Sequence, residues 1–233
     1  MTANVISDCD ARAQPDLRDP DVIAGQVRLH SDAAGVVSIR DLRFPVSLSI
    51  EVTAGHCIVS QRGFARTLRS RVARVVPALE PVSLVLIDSV TLALIQIDAL
   101  PIPKAPGGFA GLGDRADWVA DDARERKPLT AALSLAVFMA PHADWRLATA
   151  CRPLGLDETG TVSRRLLCEG ESFREIVMTY RLTRLALDLM ATGSMQVPAF
   201  YGFRDRCHLE NAVYDRFGLP VSALARLAST GIA

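Results

Sequence analysis

At Pro101 the hydrophobic pattern of this chain changes its period. From Val22 to Leu100 apolar residues alternate with polar ones in short runs: "QVRLHS", "VVSIRDL", "VSLSIEV", "HCIVSQ", "TLRSRVARVV", "SLVLI" and "VTLALIQI". A period of two with Gly and Pro between the runs predicts short strands in a small sandwich or barrel. The stretch "PIPKAPGGFAGLGD", Pro101 to Asp114, breaks that pattern with three prolines and four glycines and reads as a linker or long loop. After it the spacing turns helical to the end of the chain. A chain with such a break is expected to be an α+β protein of two parts, not one interleaved α/β sheet. The expected division is a tail over 1–21, a β-rich domain over 22–100, a linker over 101–122 and an all-α domain over 123–233.

Two helices announce their own ends. "PLTAALSLAVFMA" carries Pro128 at its first turn. "SFREIVMTYRLTRLALDLMATG" carries a capping box in Ser172 and Glu175 and a glycine stop in Gly193. Its packing face is Phe173, Ile176, Val177, Tyr180, Leu185 and Leu189. On either side of this long helix stand "WRLATACRPLGLDETGTVSRRLLCEG" and "MQVPAFYGFRDRCHLENAVYDRFG". Each reads as a short helix, a tight turn and a second helix, the helix-turn-helix order.

These residues, in this order, resemble the DNA-binding domain of the AraC/XylS transcriptional regulators. The resemblance covers about Pro128 to Arg226. Trp145 and Leu147 open the first motif, Leu154-Gly155 makes its turn, and Val162 to Leu166 forms the core of its recognition helix. Phe173, Arg181, Leu182 and Ala186 match the family's linker helix. "GFRDRCHLENAVYDRFG" matches the second turn and second recognition helix. Departures are an extra residue in the first turn, Pro153 and Pro198 in the buttressing helices, and Leu224 where an aromatic is common. The resemblance implies a C-terminal all-α domain with two helix-turn-helix motifs joined by a long helix. It implies an N-terminal regulatory and dimerisation domain, often a cupin-like barrel. It implies a bacterial regulator, usually an activator, that binds double-stranded promoter DNA and acts with RNA polymerase, with an effector the sequence does not name.

The side chains fit that reading. A recognition helix buries one face and offers the other to the major groove, its N-terminal end nearest the bases. In the first motif Val162 and Leu166 are expected inside and Gly160, Thr161, Ser163 and Arg164 outside, with Arg165 near the backbone. In the second, Asp205 suits the N-cap and Arg206, Cys207, His208 and Asn211 project from the first turns. Arg pairs with guanine and Asn with adenine through two bonds, each worth about 1–3 kcal/mol of discrimination.

Charge is less help. The chain holds 26 basic and 26 acidic residues, and all the basic ones except Lys104 and Lys127 are arginine. From Pro128 onward eleven arginines face ten acids, so phosphate attraction is small and dimerisation or polymerase contact is expected to assist. Without base reading, the same helices would serve an interaction protein that binds another regulator. An enzyme is not expected: there is no P-loop, G-x-S-x-G or H-E-x-x-H. Five cysteines without a C-x-x-C spacing suit reduced thiols in the cytoplasm. The start of the chain lacks the apolar core of a signal peptide. His30, His56 and Cys57 have no metal-site spacing, so neither metal nor cofactor is expected.

Overall fold

The structure, a computed structural model, describes residues 26–31, 35–97, 126–151, 159–194 and 201–228. Its N-terminal half is one antiparallel sheet of six strands: β1 (Gln26–Ser31), β2 (Val36–Arg43), β3 (Leu48–Gln61), β4 (Phe64–Arg69), β5 (Ala73–Val76) and β6 (Pro81–Gln96). The long strands β3 and β6 pair with each other along the middle. β6 holds β2 and then β1 along its other edge, and β3 holds β5 and β4 along its own.

The sequence pattern splits each long strand in two, and the structure joins them. In β3 the buried residues are Leu48, Ile50 and Val52, then Cys57, Val59 and Gln61. The parity changes from even to odd because the register against β6 slips between Val52 and His56. That slip is a bulge, and one extra residue turns every later side chain to the other phase. Gly55 sits in it at φ 74°, and a Cβ there would stand 2.4 Å from the Ser89 carbonyl oxygen. In β6 the break falls at exposed Asp88 and Ser89, after which burial resumes at Val90. The run "TLRSRVARVV", read as one strand, instead divides between β4 and β5 at Ser70 and Arg71, where Arg71 takes φ 71°.

The C-terminal half is helical: α1 (Pro128–Met139), α2 (Leu147–Cys151), α3 (Thr159–Cys168), α4 (Phe173–Thr192), α5 (Arg206–Phe217) and α6 (Val221–Arg226). The expected stops are present. Ser172 accepts a bond from the Glu175 amide at 3.2 Å, and Gly193 closes α4 in the left-handed region. The Glu175 carboxylate does not complete the box; it turns to Thr179 and Arg216. The start of α1 is capped across the fold. Glu169, just beyond α3, accepts from the amides of Leu129 and Thr130 at 3.0 and 2.7 Å, satisfying two of the orphan donors every helix leaves.

Two apolar clusters form the core. One is helical: Leu133, Val137, Ala150, Val162, Leu166 and Tyr180 are among its members. The larger runs through both halves, with Leu29, Ile39, Ile50 and Leu84 of the sheet packed in the same cluster as Leu182, Leu189, Phe217 and Leu224. The end of α6 also joins the sheet: the His30 amide bonds to the Leu227 carbonyl at 2.9 Å, beside a bridge from Leu29 to Ala228. The tail (1–21), the linker (101–122), Pro153 and Pro198 lie outside the described residues.

Gly55→Ala is expected to destabilise the chain by about 2 kcal/mol or more, because a side chain at positive φ is strained and this one also meets backbone. Urea unfolding of the variant against the parent measures it.

Candidate nucleic-acid interface

Helix α3 has the two faces its sequence requires. Val162 and Leu166 are fully buried, packed in one cluster with Ala150 and Cys151 of α2. Gly160, Ser163, Arg164 and Arg165 are exposed, and Thr161 is half-buried. No carboxylate approaches the guanidinium of Arg164 or Arg165 among the described residues. Helix α5 is built the same way. Leu209, Val213 and Phe217 are buried, while Arg206, Cys207, His208 and Asn211 are exposed. Asp205 caps it by accepting from the His208 amide at 2.8 Å.

The two exposed faces differ in what they have left to offer. On α5 the Arg206 guanidinium is paired with Glu210 at 2.7 Å. Just before it, Arg204 is paired with Asp205 at 3.1 Å. Asn211 lies 3.7 Å from the Cys207 sulfur, and the His208 ring stands edge-on to Phe203. The α3 face carries no such internal pairs.

Polar contacts that the sequence did not signal set the placement of these helices. Arg181 of α4 donates to the carbonyls of Pro141 and Ala143 at 2.8 and 2.7 Å, in the loop that leads to α2. The same guanidinium fills the space beside Gly202, where a Cβ would come within 2.5 Å of its Cζ. One side chain thus fixes the loop before α2 and the segment before α5 against α4. Nearby, Asp188 receives Arg184 at 2.9 Å and the Tyr201 hydroxyl, and the His142 ring lies 4.6 Å from Tyr201. Burial, then the Asp188 charge, pushes the Tyr201 hydroxyl up, so it stays a donor.

The C-terminal end of α5 rests on β2. Arg216 reaches Glu175 of α4 at 2.7 Å and Asp41 of β2 at 3.0 Å. Arg43 of β2 lies 3.9 Å from Glu171, which also holds Lys127 at 2.8 Å. This ion-pair set ties the sheet to the start of α4 and the end of α5. A small cavity of about 40 Å³ lies between sheet and helices, lined by Val46, Leu48 and Leu94 on one side and Phe138, Arg184 and Leu187 on the other.

His56 is exposed and Cys57 buried, on opposite faces of β3, and the Cys57 thiol is pushed up to about 11 by burial. The His30 ring bonds Thr91 at 2.8 Å. Among the described residues no three His, Cys, Asp or Glu side chains come together as a metal site. Among them too, no helix is long and apolar enough to cross a membrane.

No family model matches the chain, and no curated protein matches its sequence. Solved structures do match its fold. ToxT from Vibrio cholerae superposes with a TM-score of 0.58 at 12% identity, covering 88% of this chain and 98% of that one. Wild-type ToxT bound to an unsaturated fatty acid gives 0.57 at 11% identity, over 90% and 97%. ToxT bound to (E)-4-(8-methylnaphthalen-1-yl)but-3-enoic acid gives 0.56 at 13%, over 88% and 99%. The chain has the ToxT fold: an N-terminal antiparallel sheet followed by helices.

Burial alone would raise the Glu175 carboxyl, but the hydrogen bond and charge of Arg216 hold it below the usual carboxylate value. A carboxyl lowered on folding adds stability above its unfolded pKa and loses it as the pH falls through the folded one. Glu175→Gln is therefore expected to be less stable than the parent at neutral pH. The gap should close as the pH falls below the carboxylate range. Urea unfolding across an acid pH series checks this.

Proposed function

We propose that this protein is an AraC-type transcriptional regulator that binds promoter DNA in a sequence-specific way through α3 and α5. The observation that carries the reading is the pair of two-faced helices on one buried rod. Each of α3 and α5 sinks an apolar row and presents polar side chains, with α4 running between them. The fold shared with ToxT, an AraC-family regulator, supports it independently of those side chains. Activation, assistance from RNA polymerase and a homodimer formed through the β-rich half belong to the same proposal, as does the division into residues 22–100 and 123–233. The ToxT complexes with a fatty acid and with a naphthalenyl butenoic acid make a small amphipathic acid the effector class to try first. The cavity between sheet and helices would have to widen to admit one, since about 40 Å³ has room for only a few waters.

Within this reading the two helices divide the work unequally. Ser163, Arg164 and Arg165 meet no carboxylate among the described residues and would face bases and phosphates. Arg206 must leave Glu210 first, and Glu210 and Asp215 oppose phosphate. The first helix would supply most of the base discrimination and the second would mainly set position on the backbone.

Arg164→Ala is expected to leave the fold intact and remove specific promoter binding, at a cost of about 1–3 kcal/mol per lost base contact. Gel shifts with genomic promoter fragments test this. Wild-type affinity and preference in a folded variant would overturn the proposed site.

Selection from randomised DNA tests the division of work. Ser163→Ala with Arg164→Ala should flatten base preference, whereas Arg206→Ala with Asn211→Ala should weaken all sequences alike. The reverse result would exchange the roles of the two helices.

A further inference from the structure

Between Arg62 and Arg74 the chain carries five arginines and no acid, although its formal net charge is zero. These residues form the turn before β4, β4 itself and the start of β5. Arg62 is held by Glu80. Arg66, Arg69 and Arg71 are exposed, and their guanidinium groups meet no carboxylate among the described residues. Phe64, at the head of the same strand, is 76% exposed.

The backbone of β4 is also open. It pairs with β3 on one side and with no other described strand. Arg62 and Gly63, at φ 52° and 78°, make a two-residue turn with both central residues left-handed, the kind that closes a hairpin on a hydrogen-bonded pair. That pair is Gln61 and Phe64. Hydrogen-bonded and open pairs alternate along an antiparallel ladder, so the N–H and C=O groups of Ala65 and Thr67 and the N–H of Arg69 point away from β3; the Arg69 carbonyl accepts the Val72 amide at 3.0 Å. Arg66 stands opposite Val59 and Arg69 opposite His56, so guanidinium groups flank the open edge on both faces of the sheet.

We propose that the outer edge of β4 docks an extended acidic segment of a partner polypeptide, which adds to the sheet as a further strand. The edge offers donors and acceptors in alternation, and a polypeptide answers both. Phosphates only accept, and would leave the outward carbonyls unmatched. A second copy of the chain would set arginine against arginine. The sheet also meets α5 at that helix's C-terminal end, through Arg216, whereas the N-terminal end is the one that would approach DNA. β4 lies three strand spacings beyond β2, about 14 Å further off. Main-chain bonds would give such a strand its affinity, and acidic side chains on both its faces its selectivity.

Charges on an edge strand can also serve only to discourage aggregation, and the experiment separates the two. A labelled peptide of alternating glutamate and valine is titrated into the full chain by fluorescence anisotropy, with a short duplex of arbitrary sequence titrated in parallel. The peptide is expected to bind. Arg66→Gln, Arg69→Gln and Arg71→Gln together should weaken it about tenfold or more, without changing duplex affinity. Thr67→Pro keeps every charge but removes one outward N–H, and it too should weaken the peptide. In the parent, hydrogen exchange at Ala65, Thr67 and Arg69 should slow when the peptide is added, a result independent of how the variants fold. No peptide binding, or binding that leaves those three amides unprotected, overturns strand addition. A triple variant that loses duplex affinity while the peptide binds as before makes the strip a phosphate surface instead.

Discussion

The burial of α4 is the constraint on which the rest of the helical half depends. Eleven of its twenty residues are buried. Ile176, Val177 and Tyr180 enter the helical cluster, and Leu182, Leu185, Leu189 and Met190 enter the cluster shared with the sheet. A buried leucine is worth about 1.5–3 kcal/mol, so this one helix anchors two cores at once. α3 stands on the first and α5 on the second. The distance and angle between the two outward faces are therefore set by a rod that has no freedom to turn about its own axis.

The helices were legible because their punctuation is local. Ser172, Gly193 and Asp205 each act within a few residues of where they stand, and the apolar rows of α3 and α5 follow directly from spacing. The strands were legible by position but not by number. An alternation that changes phase looks like two strands, and only pairing with β6 shows that β3 continues through a bulge at Gly55. The faces proposed to meet DNA could be listed from the sequence, since exposure follows from periodicity. Their present partners could not. Nothing in the spacing tells that Arg206 is held by Glu210 while Arg164 meets no carboxylate among the described residues.

The contacts that tie distant segments were illegible for the same reason. Asp41 and Arg216 are separated by most of the chain, as are Arg43 and Glu171, and no periodicity connects them. Yet these pairs decide that α5 is backed by β2 and not left free behind its outward face. Exposed ion pairs add little to stability, but Arg216 is largely enclosed and touches two elements at once. It links the position of a sheet strand to that of a helix proposed to read bases.

The guanidinium of Arg181 and the bare backbone of Gly202 occupy complementary space. Any side chain at 202 would displace the arginine, and a shorter residue at 181 would take its donors from the carbonyls of Pro141 and Ala143, the second keeping the Trp145 amide. Neither position can change alone without loss. In related chains the two should therefore vary together or not at all, an inherited signature of how α2 and α5 are joined to α4 that neither helix face would reveal.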